Sequence, residues 1–398
     1  MAPESNTTAV PADTKSAAAF FDNHPEVKLV KLQYVTVCGV ISSRLMPKQS
    51  FLEAINSRGG MHQAVLDMFF TVEGKINPAL FAHFCHERGL FKPDLSTLRI
   101  CPDSAGLGNT AVVIAESTLF GVDPRANLRR VIGDAKAQHR LDFLVGFEIE
   151  VVYLKPDDDE SFAYAGTGLG GLHLTSATSR SVLWPVVNET TVALADAGIM
   201  VESSHKEYGN SQWEYVLPPY SPVESVDAYV FALETIRSIA FKHGLVATAF
   251  PTPYPDNGAD AEVAEGESKK KNRFSRQKNG QHIHVSATLD GDDGRSESSS
   301  FNPDELLSGI LSHTAALTAI GLSQIDSYER VGETGLCTGG YVGWGEHHRD
   351  LPVRRMYKNH WEIRINDVTS NPYAMVAGII SAALDRKPLT IKAAPSKS

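Results

Sequence analysis

The feature of this sequence that most constrains its fold is a set of polar pairs, spaced two residues apart, inside apolar strand-like segments. The pairs are Glu148 and Glu150, His282 and His284, and Glu362 and Arg364. Residues i and i+2 of a strand point to the same face, so each pair places two polar groups on one side of its strand. Burying unpaired charge is costly. The fold must therefore bring compensating positive charge to these strands.

Two further acids, Glu207 and Glu214, extend this set of potential metal ligands. The set then comprises five carboxylates and one imidazole, those of Glu148, Glu150, Glu207, Glu214, Glu362 and His282. Oxygen ligands suit hard cations such as Mg²⁺ or Mn²⁺ better than zinc, which prefers nitrogen and sulfur. Taken singly, each pair also fits a solvated strand face or a surface ion pair of little energetic value. Their combination in apolar segments favours a metal centre.

Composition places the chain among soluble enzymes of ordinary make-up. Its 398 residues, of which 42% are hydrophobic and 21% charged, suffice for two domains with a sizeable core. The formal net charge of -10 argues against a nucleic-acid partner, which would require a basic surface. We find no membrane span and no secretory signal. Its four cysteines are widely spaced and form no C-x-x-C motif, so we expect a reduced, cytoplasmic protein.

The order of the motifs resembles that of the glutamine synthetase family, from about Val27 to the end of the chain. The stretches that carry the resemblance, in chain order, are Lys92 to Arg99, the Glu148-x-Glu150 strand, Gln212-Trp-Glu214, His243-Gly244 leading into Ala247-Thr248, Gly280-x-His-x-His284, Trp344 to Arg354, and Glu362-x-Arg364 followed by Asn371-Pro-Tyr373. A chance match to this ordered set is implausible.

The resemblance implies an α+β fold with two domains. It implies a small β-grasp-like N-terminal domain over 26–118 and a catalytic domain over 119–398 with a curved antiparallel sheet flanked by helices. The Ala-, Thr-, Ser- and Pro-rich character of the chain to about Lys15 predicts a flexible tail, which we place over residues 1–25. Local signals agree with this fold, since Ser221-Pro-Val-Glu224 reads as a capping box and the helical apolar pattern that follows it ends at Gly244. Residues 253–278 are predicted to be an inserted loop, either solvated or acting as a lid. Gly166 to Gly171 fits G-x-G-x-x-G but lacks the strand and helix of a dinucleotide site.

The resemblance also assigns the metal ligands to two sites. Glu150, Glu207 and Glu214 would hold one divalent cation, and Glu148, His282 and Glu362 would hold the other. The resemblance also implies ATP as a co-substrate. The cations would then neutralise phosphate charge, since phosphoryl transfer depends mainly on positioning and charge neutralisation.

Roles for the substrate-binding residues follow from the same resemblance. His284, Arg349 and Arg354 match residues that contact ATP. Arg330 matches the arginine that pairs with the α-carboxylate of glutamate, and Arg364 matches the one near the carboxylate being activated. Gly280 and Glu150 complete the predicted substrate site, and Arg330, Arg349 and Arg364 are the predicted catalytic residues.

The departures from the family pattern concern the amine. Thr36 stands where ammonia-using members carry an aspartate, and residues 335–340 contain no acid where a glutamate is expected. The loop Lys278 to His282 is altered, and Thr252 replaces a lysine. Both missing acids help those members to capture and deprotonate ammonium, so the sequence favours a larger amine.

The function expected from the sequence is therefore an ATP-dependent ligase that joins the γ-carboxylate of glutamate to an amine other than ammonia through an acyl phosphate. The resemblance further implies a homo-oligomeric ring of eight, ten or twelve subunits with active sites between subunits. Three alternatives stay open on sequence grounds: a true glutamine synthetase, a kinase-like phosphotransferase that stops at the phosphorylated carboxylate, and a catalytically silent relative. The sequence does not name the amine.

Overall fold

The computed structural model describes residues 12–71, 73–101, 109–119, 121–156, 162–166, 176–253, 278–289, 302–331, 342–386, 388, 390 and 392–393. The chain divides into two compact units, Met1–Ala126 and Asn127–Ser398. No helix in the described ranges is long and apolar enough to cross a membrane. The boundary at residues 118 and 119 stays a prediction.

The first unit is a five-stranded sheet with short helices. Its elements are α1 (Ala12–Asn23), β1 (Leu29–Val35), β2 (Ile41–Pro47), α2 (Lys48–Arg58), β3 (Met61–Ala64), a 3₁₀ turn (Val65–Phe69), α3 (Pro78–Phe84), β4 (Arg88–Ile100) and β5 (Thr110–Ser117). The strand order is β2-β1-β5-β4-β3, with β1 and β5 parallel and the other neighbours antiparallel. A hairpin followed by a helix, with a parallel pair at the centre of the sheet, is the β-grasp-like arrangement that the sequence predicted.

The expected flexible tail is wrong from residue 12 onward. Ala12–Asn23 forms a helix, and Ala17 and Phe21 on it are buried in the core of the first unit. The ring of Phe21 meets that of Phe51 edge to face, with 6.2 Å between centroids. The Ala- and Ser-rich composition suggested disorder, but the burial of these apolar side chains stabilises the helix.

The second unit is built on a larger sheet. Its elements, with the helix that leads into it, are α4 (Pro124–His139), β6 (Leu141–Pro156), β7 (Phe162–Tyr164), a 3₁₀ turn (Ser176–Arg180), α5 (Trp184–Asp196), β8 (Ser203–Lys206), β9 (Gln212–Tyr220), α6 (Pro222–Lys242), β10 (Val246–Thr248), β11 (Gln281–Leu289), α7 (Pro303–Ser312), α8 (Thr314–Gly321), α9 (Ile325–Tyr328), a 3₁₀ turn (Glu329–Val331), β12 (Trp344–Glu346), β13 (Val353–Tyr357), β14 (His360–Ile363) and α10 (Pro372–Leu384).

The sheet runs in the order β12-β13-β14-β11-β6-β9-β8, and β7 and β10 also pair with β6. Its described neighbours are antiparallel except β12 and β13. One face packs against helices, since Phe147 of β6 stacks on Tyr229 of α6 with 4.7 Å between ring centroids. The alternation of side chains along β6 then turns Glu148 and Glu150 to the opposite face. The expected α+β fold, with a curved, mainly antiparallel sheet flanked by helices, is confirmed.

Helix α6 begins and ends where the sequence predicted, although its N-terminus differs in detail. Gly244 adopts a left-handed conformation, with φ of 70°, just after the helix, which glycine does without steric cost. Ser221 is the N-cap residue but caps no backbone amide. Its hydroxyl donates a hydrogen bond of 3.3 Å to a carboxylate oxygen of Glu224 instead, so the side chain of Ser221 does not make its contact of the predicted capping box.

Some predicted features lie outside the described residues. They are the start of the N-terminal tail, most of the glycine-rich stretch (167–171), the core of the inserted loop (254–277) and the segment 335–340.

Candidate active site

The register of the sheet brings the predicted acids together on the face that lies away from α6. Glu150 of β6 is opposite Glu214 of β9, which is in turn opposite His205 of β8. Two residues earlier on β6, Glu148 is opposite His282 of β11. Directly opposite side chains in a sheet lie about 5 Å apart. The pairing therefore forms two adjacent rows of acids and imidazoles.

A third row adds the arginines. Glu362 of β14 is opposite His284 of β11 on one side and Arg354 of β13 on the other. Glu362 is fully buried, and its two carboxylate oxygens accept hydrogen bonds from Arg354 (Nη1–Oε2, 2.8 Å) and from Nη1 of Arg364. Burial alone would raise the pKa of Glu362, but the positive charge of Arg364, followed by that of His282, holds this pKa below its ordinary value.

His282 is at the centre of the site and contacts acids on both sides of its ring. Nδ1 is 2.7 Å from Oε2 of Glu148 and 3.5 Å from Oε1 of Glu362. Nε2 is 3.9 Å from Oε1 of Glu150 and is buried without a hydrogen-bond partner among the described residues. Ligand atoms of Glu148, His282 and Glu362 all lie within 4.8 Å of one another, as do those of Glu150, Glu214 and His282. The predicted triad of Glu148, His282 and Glu362 is thus brought together.

The other predicted triad is divided between two groups. Glu207 groups with Glu214 and His205, whereas Glu150 groups with Glu214 and His282. Nε2 of His205 lies 3.3 Å from Oε1 of Glu207 and 3.6 Å from Oε1 of Glu214. Glu214 therefore links the two groups. His205 is a candidate ligand that the sequence reasoning missed, although its position two residues before Glu207 carried the same alternating signal.

Glu150 is oriented by Gly280, a predicted substrate-site residue, and by Gln212 and Asn279, to which the sequence reasoning gave no role. Its Oε2 accepts hydrogen bonds from the side chain of Gln212 (2.9 Å) and from the backbone amide of Gly280 (2.8 Å). Gln212 also donates to Asn279 (3.0 Å), whose amide in turn donates to the carbonyls of residues 248 and 250. This buried network leaves Oε1 of Glu150 directed towards His282 and fixes the loop that precedes β11.

Gly280 is a point where three predicted functional side chains converge. A Cβ on this residue would lie 2.6 Å from Nε2 of His282, 2.9 Å from Oε1 of Glu150 and 3.0 Å from Nη2 of Arg330. Arg330 is fully buried and donates from Nη1 and Nη2 to the backbone carbonyls of Asn366 and Arg364, at 2.8 and 3.2 Å. A side chain at position 280 would therefore occupy space at the centre of the site.

Two of the three residues predicted to bind ATP lie close to the acid cluster, and the third does not contact it. His284 and Arg354 lie beside the acid cluster, and Nε2 of His284 is 2.9 Å from Oε1 of Glu148. Arg349, in the turn between β12 and β13, is exposed and has no hydrogen bond or ion pair with the described residues. Its role as a catalytic and phosphate-binding residue stays a prediction.

The acidic side chains of the cluster repel one another, and their burial makes ionisation more costly. Burial, together with the charges of Glu148, Glu150, Glu207 and Glu362, raises the pKa of Glu214 to about 10. Burial also raises the pKa of Glu150. By contrast, hydrogen bonds from His282 and His284 outweigh burial and hold the pKa of Glu148 well below its ordinary range. Oxygen-rich donors, the unpartnered Nε2 of His282 and this repulsion fit divalent cations such as Mg²⁺ or Mn²⁺.

Glu214→Gln is expected to raise the melting temperature of the cation-free protein, since glutamine removes a buried acid that is costly to ionise. A raised pKa in the folded state means that stability is lost as pH rises from about 4.5 towards 10. The melting temperature of the variant should therefore exceed that of the wild type by little at pH 5 and by more towards pH 9. The difference should be about 2 °C for each kcal/mol of repulsion relieved. Calorimetry in EDTA across this range measures it.

In millimolar Mg²⁺ the wild type should have the higher melting temperature and Glu214→Gln the lower one. A ligand that binds the folded state stabilises it, and the variant lacks one carboxylate ligand. Glu224→Gln, at an exposed position on α6, is the matched control and should change neither result. Equal melting temperatures of the wild type in EDTA and in Mg²⁺ would contradict the assignment of a cation site.

Comparison with known proteins identifies the family. The description "Glutamine synthetase, catalytic domain" matches residues 121–262 and 269–392, which is more than half of the chain. The chain therefore belongs to the glutamine synthetase family. The sequence-based resemblance to this family is confirmed.

Individual relatives differ in how much of their length is matched. The chain is 30% identical to protein FluG of Emericella nidulans over 393 residues, covering 94% of this chain and 41% of that protein. It is 28% identical to glutamine synthetase of Methanocaldococcus jannaschii, covering 74% of this chain and 64% of the relative. The chain thus spans about two fifths of the first relative and slightly less than two thirds of the second.

Solved structures support the fold. The structure described as "GmaS/ADP complex-Conformation 1" superposes with a TM-score of 0.73 at 22% identity, covering 92% of this chain and 80% of that chain. A "novel glutamine synthase homolog" gives the same TM-score at 20% identity, covering 93% and 86%. At these identities the likeness is one of fold alone.

Proposed function

We propose that the protein is an ATP-dependent ligase that joins the γ-carboxylate of glutamate to an amine other than ammonia. The observation that carries the proposal is the convergence of Glu148, Glu150, Glu214 and Glu362 around His282, with Arg354 and Arg364 at one edge. A buried acid cluster beside guanidinium groups suits cation-assisted phosphoryl transfer, in which charge neutralisation contributes most. Relatives named glutamine synthetase and a structural neighbour described with bound ADP support it.

The proposed reaction has two steps. A carboxylate oxygen of glutamate attacks the γ-phosphorus of ATP, the bond to ADP breaks, and an acyl phosphate forms. The amine nitrogen then attacks the acyl carbon, phosphate leaves with its electron pair, and the nitrogen loses a proton. Mg²⁺ or Mn²⁺ held by the acid cluster would neutralise phosphate charge. Arg364 is suited to orient the reacting carboxylate, and Arg354 with His284 to contact the phosphates, because guanidinium binds both groups through paired hydrogen bonds.

The preference for a larger amine rests on Thr36. Its side chain is 1% exposed, and its Oγ1 accepts a hydrogen bond of 3.1 Å from the amide of Val40. A neutral hydroxyl that closes a turn offers no negative charge to attract ammonium, whereas an aspartate would. The second departure, in residues 335–340, is one of sequence alone, because that segment lies outside the described residues.

The proposal predicts negligible glutamine formation with ammonium and efficient amide formation with at least one organic amine. Purified protein with glutamate, ATP and Mg²⁺ is assayed against ammonium, primary alkylamines, diamines and ethanolamine, with ADP release and product mass measured together. Thr36→Asp, which can keep the bond to Val40, should increase ammonium use relative to the wild type. Thr36→Ser is the matched control and should not.

Each other result has a distinct meaning. Glutamine synthesis at low-millimolar ammonium would identify a true glutamine synthetase. ADP release without any amide would favour a phosphotransferase, and no ATP turnover with any acceptor would favour a silent relative.

The assembly proposed from the resemblance is a closed homo-oligomeric ring in a cytosolic setting. Light scattering on the active fraction should give a closed multiple of 43.2 kDa. A fully active monomer would contradict the ring.

A further inference from the structure

A second imidazole, that of His360, lies next to the predicted nucleotide-binding His284. Nε2 of His360 is 3.0 Å from Nδ1 of His284, and Nε2 of His284 is 2.9 Å from Oε1 of Glu148. The two rings are T-shaped, with 5.1 Å between centroids. Glu148, His284 and His360 therefore form a hydrogen-bonded chain across the strands β6, β11 and β14.

The register explains why these rings meet. His284 is directly opposite Glu362 on β14, and His360 is two residues earlier on that strand, on the same face. Diagonal neighbours in an antiparallel pair are within reach of aromatic side chains. Neither motif spacing nor the family resemblance assigned any role to His360.

Glu148 determines which ring nitrogen of His284 carries a proton at one end of this hydrogen-bonded chain. An ionised carboxylate only accepts hydrogen bonds, so Nε2 of His284 must carry the proton that it shares with Glu148. Between the two imidazoles, either ring can be the donor. In both arrangements the Nδ1 edge of His284 is held by His360, and its Nε2–H is directed towards Glu148 and the acid cluster.

The two contacts of His284 are not equivalent in function. Glu148 belongs to the group of ligand atoms that suits a cation, and an oxygen that binds a cation is no longer fully available to His284. His360 is outside every group of described residues that could hold a metal. Its contact with His284 is therefore not one that a cation at Glu148 would compete for.

We propose that His360 is a positioning residue that fixes the ring of His284, so that its Nε2–H faces the phosphates of the bound nucleotide when Glu148 is engaged by a cation. This inference rests on the proposed function, because it takes an adenine nucleotide as the ligand. Without His360, the ring of His284 could rotate about its side-chain bonds and would lose this orientation. His360 does not itself contact the nucleotide in this proposal.

The test is a double-mutant cycle on nucleotide affinity, measured by calorimetric titration with MgADP so that turnover is not required. His360→Leu is expected to weaken binding about tenfold, in line with the loss of one hydrogen bond. His360→Gln should recover most of the affinity, because its terminal amide can take the place of Nε2. In a His284→Ala background, His360→Leu should have no further effect, since residues that act as one unit are not additive.

His313→Leu is the matched control, because it also removes an imidazole hydrogen bond, the one between His313 and Asp385 (2.7 Å). It should leave MgADP affinity unchanged. In turnover assays His360→Leu should raise KM for ATP more than it lowers kcat. Calorimetric melting temperatures of all variants show whether a loss of affinity reflects misfolding.

Three results would overturn the inference. One is an equal loss of affinity from His360→Leu in the wild-type and His284→Ala backgrounds, which would indicate a structural role or a direct contact. A second is unchanged affinity in His360→Leu. The third is failure of His360→Gln to recover binding. If the wild type itself binds no MgADP, the proposed function fails rather than the role of His360 within it.

Discussion

Alanine at His282 or Glu148 is expected to abolish ATP turnover, leaving less than about a thousandth of the wild-type rate. His282 contacts Glu148 and Glu362 through Nδ1 and faces Glu150 through Nε2. Its removal would therefore disrupt both groups of ligand atoms that surround it. Glu148 belongs to one of these groups and also binds His284, so its loss disturbs the proposed cation and nucleotide contacts together. ADP release at saturating ATP, with Mg²⁺ and with Mn²⁺, measures the effect.

The same variants should lose the increase in melting temperature that Mg²⁺ gives to the wild type. This measurement distinguishes a variant that no longer binds the cation from one that has lost only catalysis. His313→Ala is the control for removal of a histidine and should retain turnover, because His313 contacts Asp385 and belongs to none of the described groups of potential metal ligands. Rates of the His282 and Glu148 variants within tenfold of the wild type would contradict the proposed metal centre.

Gly280→Ala is expected to reduce kcat about a hundredfold while the protein stays folded. The added methyl group would lie 2.6 Å from Nε2 of His282 and 2.9 Å from Oε1 of Glu150, so one of these groups must move. The backbone amide of Gly280 also donates to Glu150 (2.8 Å), which makes backbone movement costly. Displacements of about 1 Å at an active site cost roughly this factor in rate. Steady-state kinetics and a melting curve together test this expectation.

Gly133→Ala is the matched control, because Gly133 lies in α4 and a Cβ there would meet no atom of the described residues within 4 Å, apart from the nearby backbone of its own helix. Alanine is the better helix former, so this variant should be unchanged in activity and slightly more stable, by about 0.5–1 kcal/mol. Full activity of Gly280→Ala would show that the space above Gly280 is not needed for the reaction.

The sequence was sufficient for the fold class and for the shared face of several candidate ligands, for reasons that operate over short distances. Alternation along a strand is a local property, so the pattern of residues alone assigns Glu148 and Glu150 to one face. The ends of α6 were also predictable, because proline and glycine act on their own backbone torsions. The ordered motifs added the family, and with it the larger sheet.

Local composition was misleading at the N-terminus. The Ala- and Ser-rich segment that was expected to be a tail forms a helix from Ala12, because Ala17 and Phe21 are buried against residues far along the chain. A residue's burial depends on partners that its own segment does not reveal.

Sheet order and register were decided only by the tertiary structure, and they determine which ligands meet. β11 lies between β6 and β14, so His282 contacts acids from both neighbours, while Glu207 groups with His205 rather than with Glu150. The same pairing puts His360 against His284. Sequence by itself determined which side chains face one way along each strand, because that follows from backbone geometry. Which strands are neighbours depends on burial summed over the whole unit, and only the folded chain specifies it.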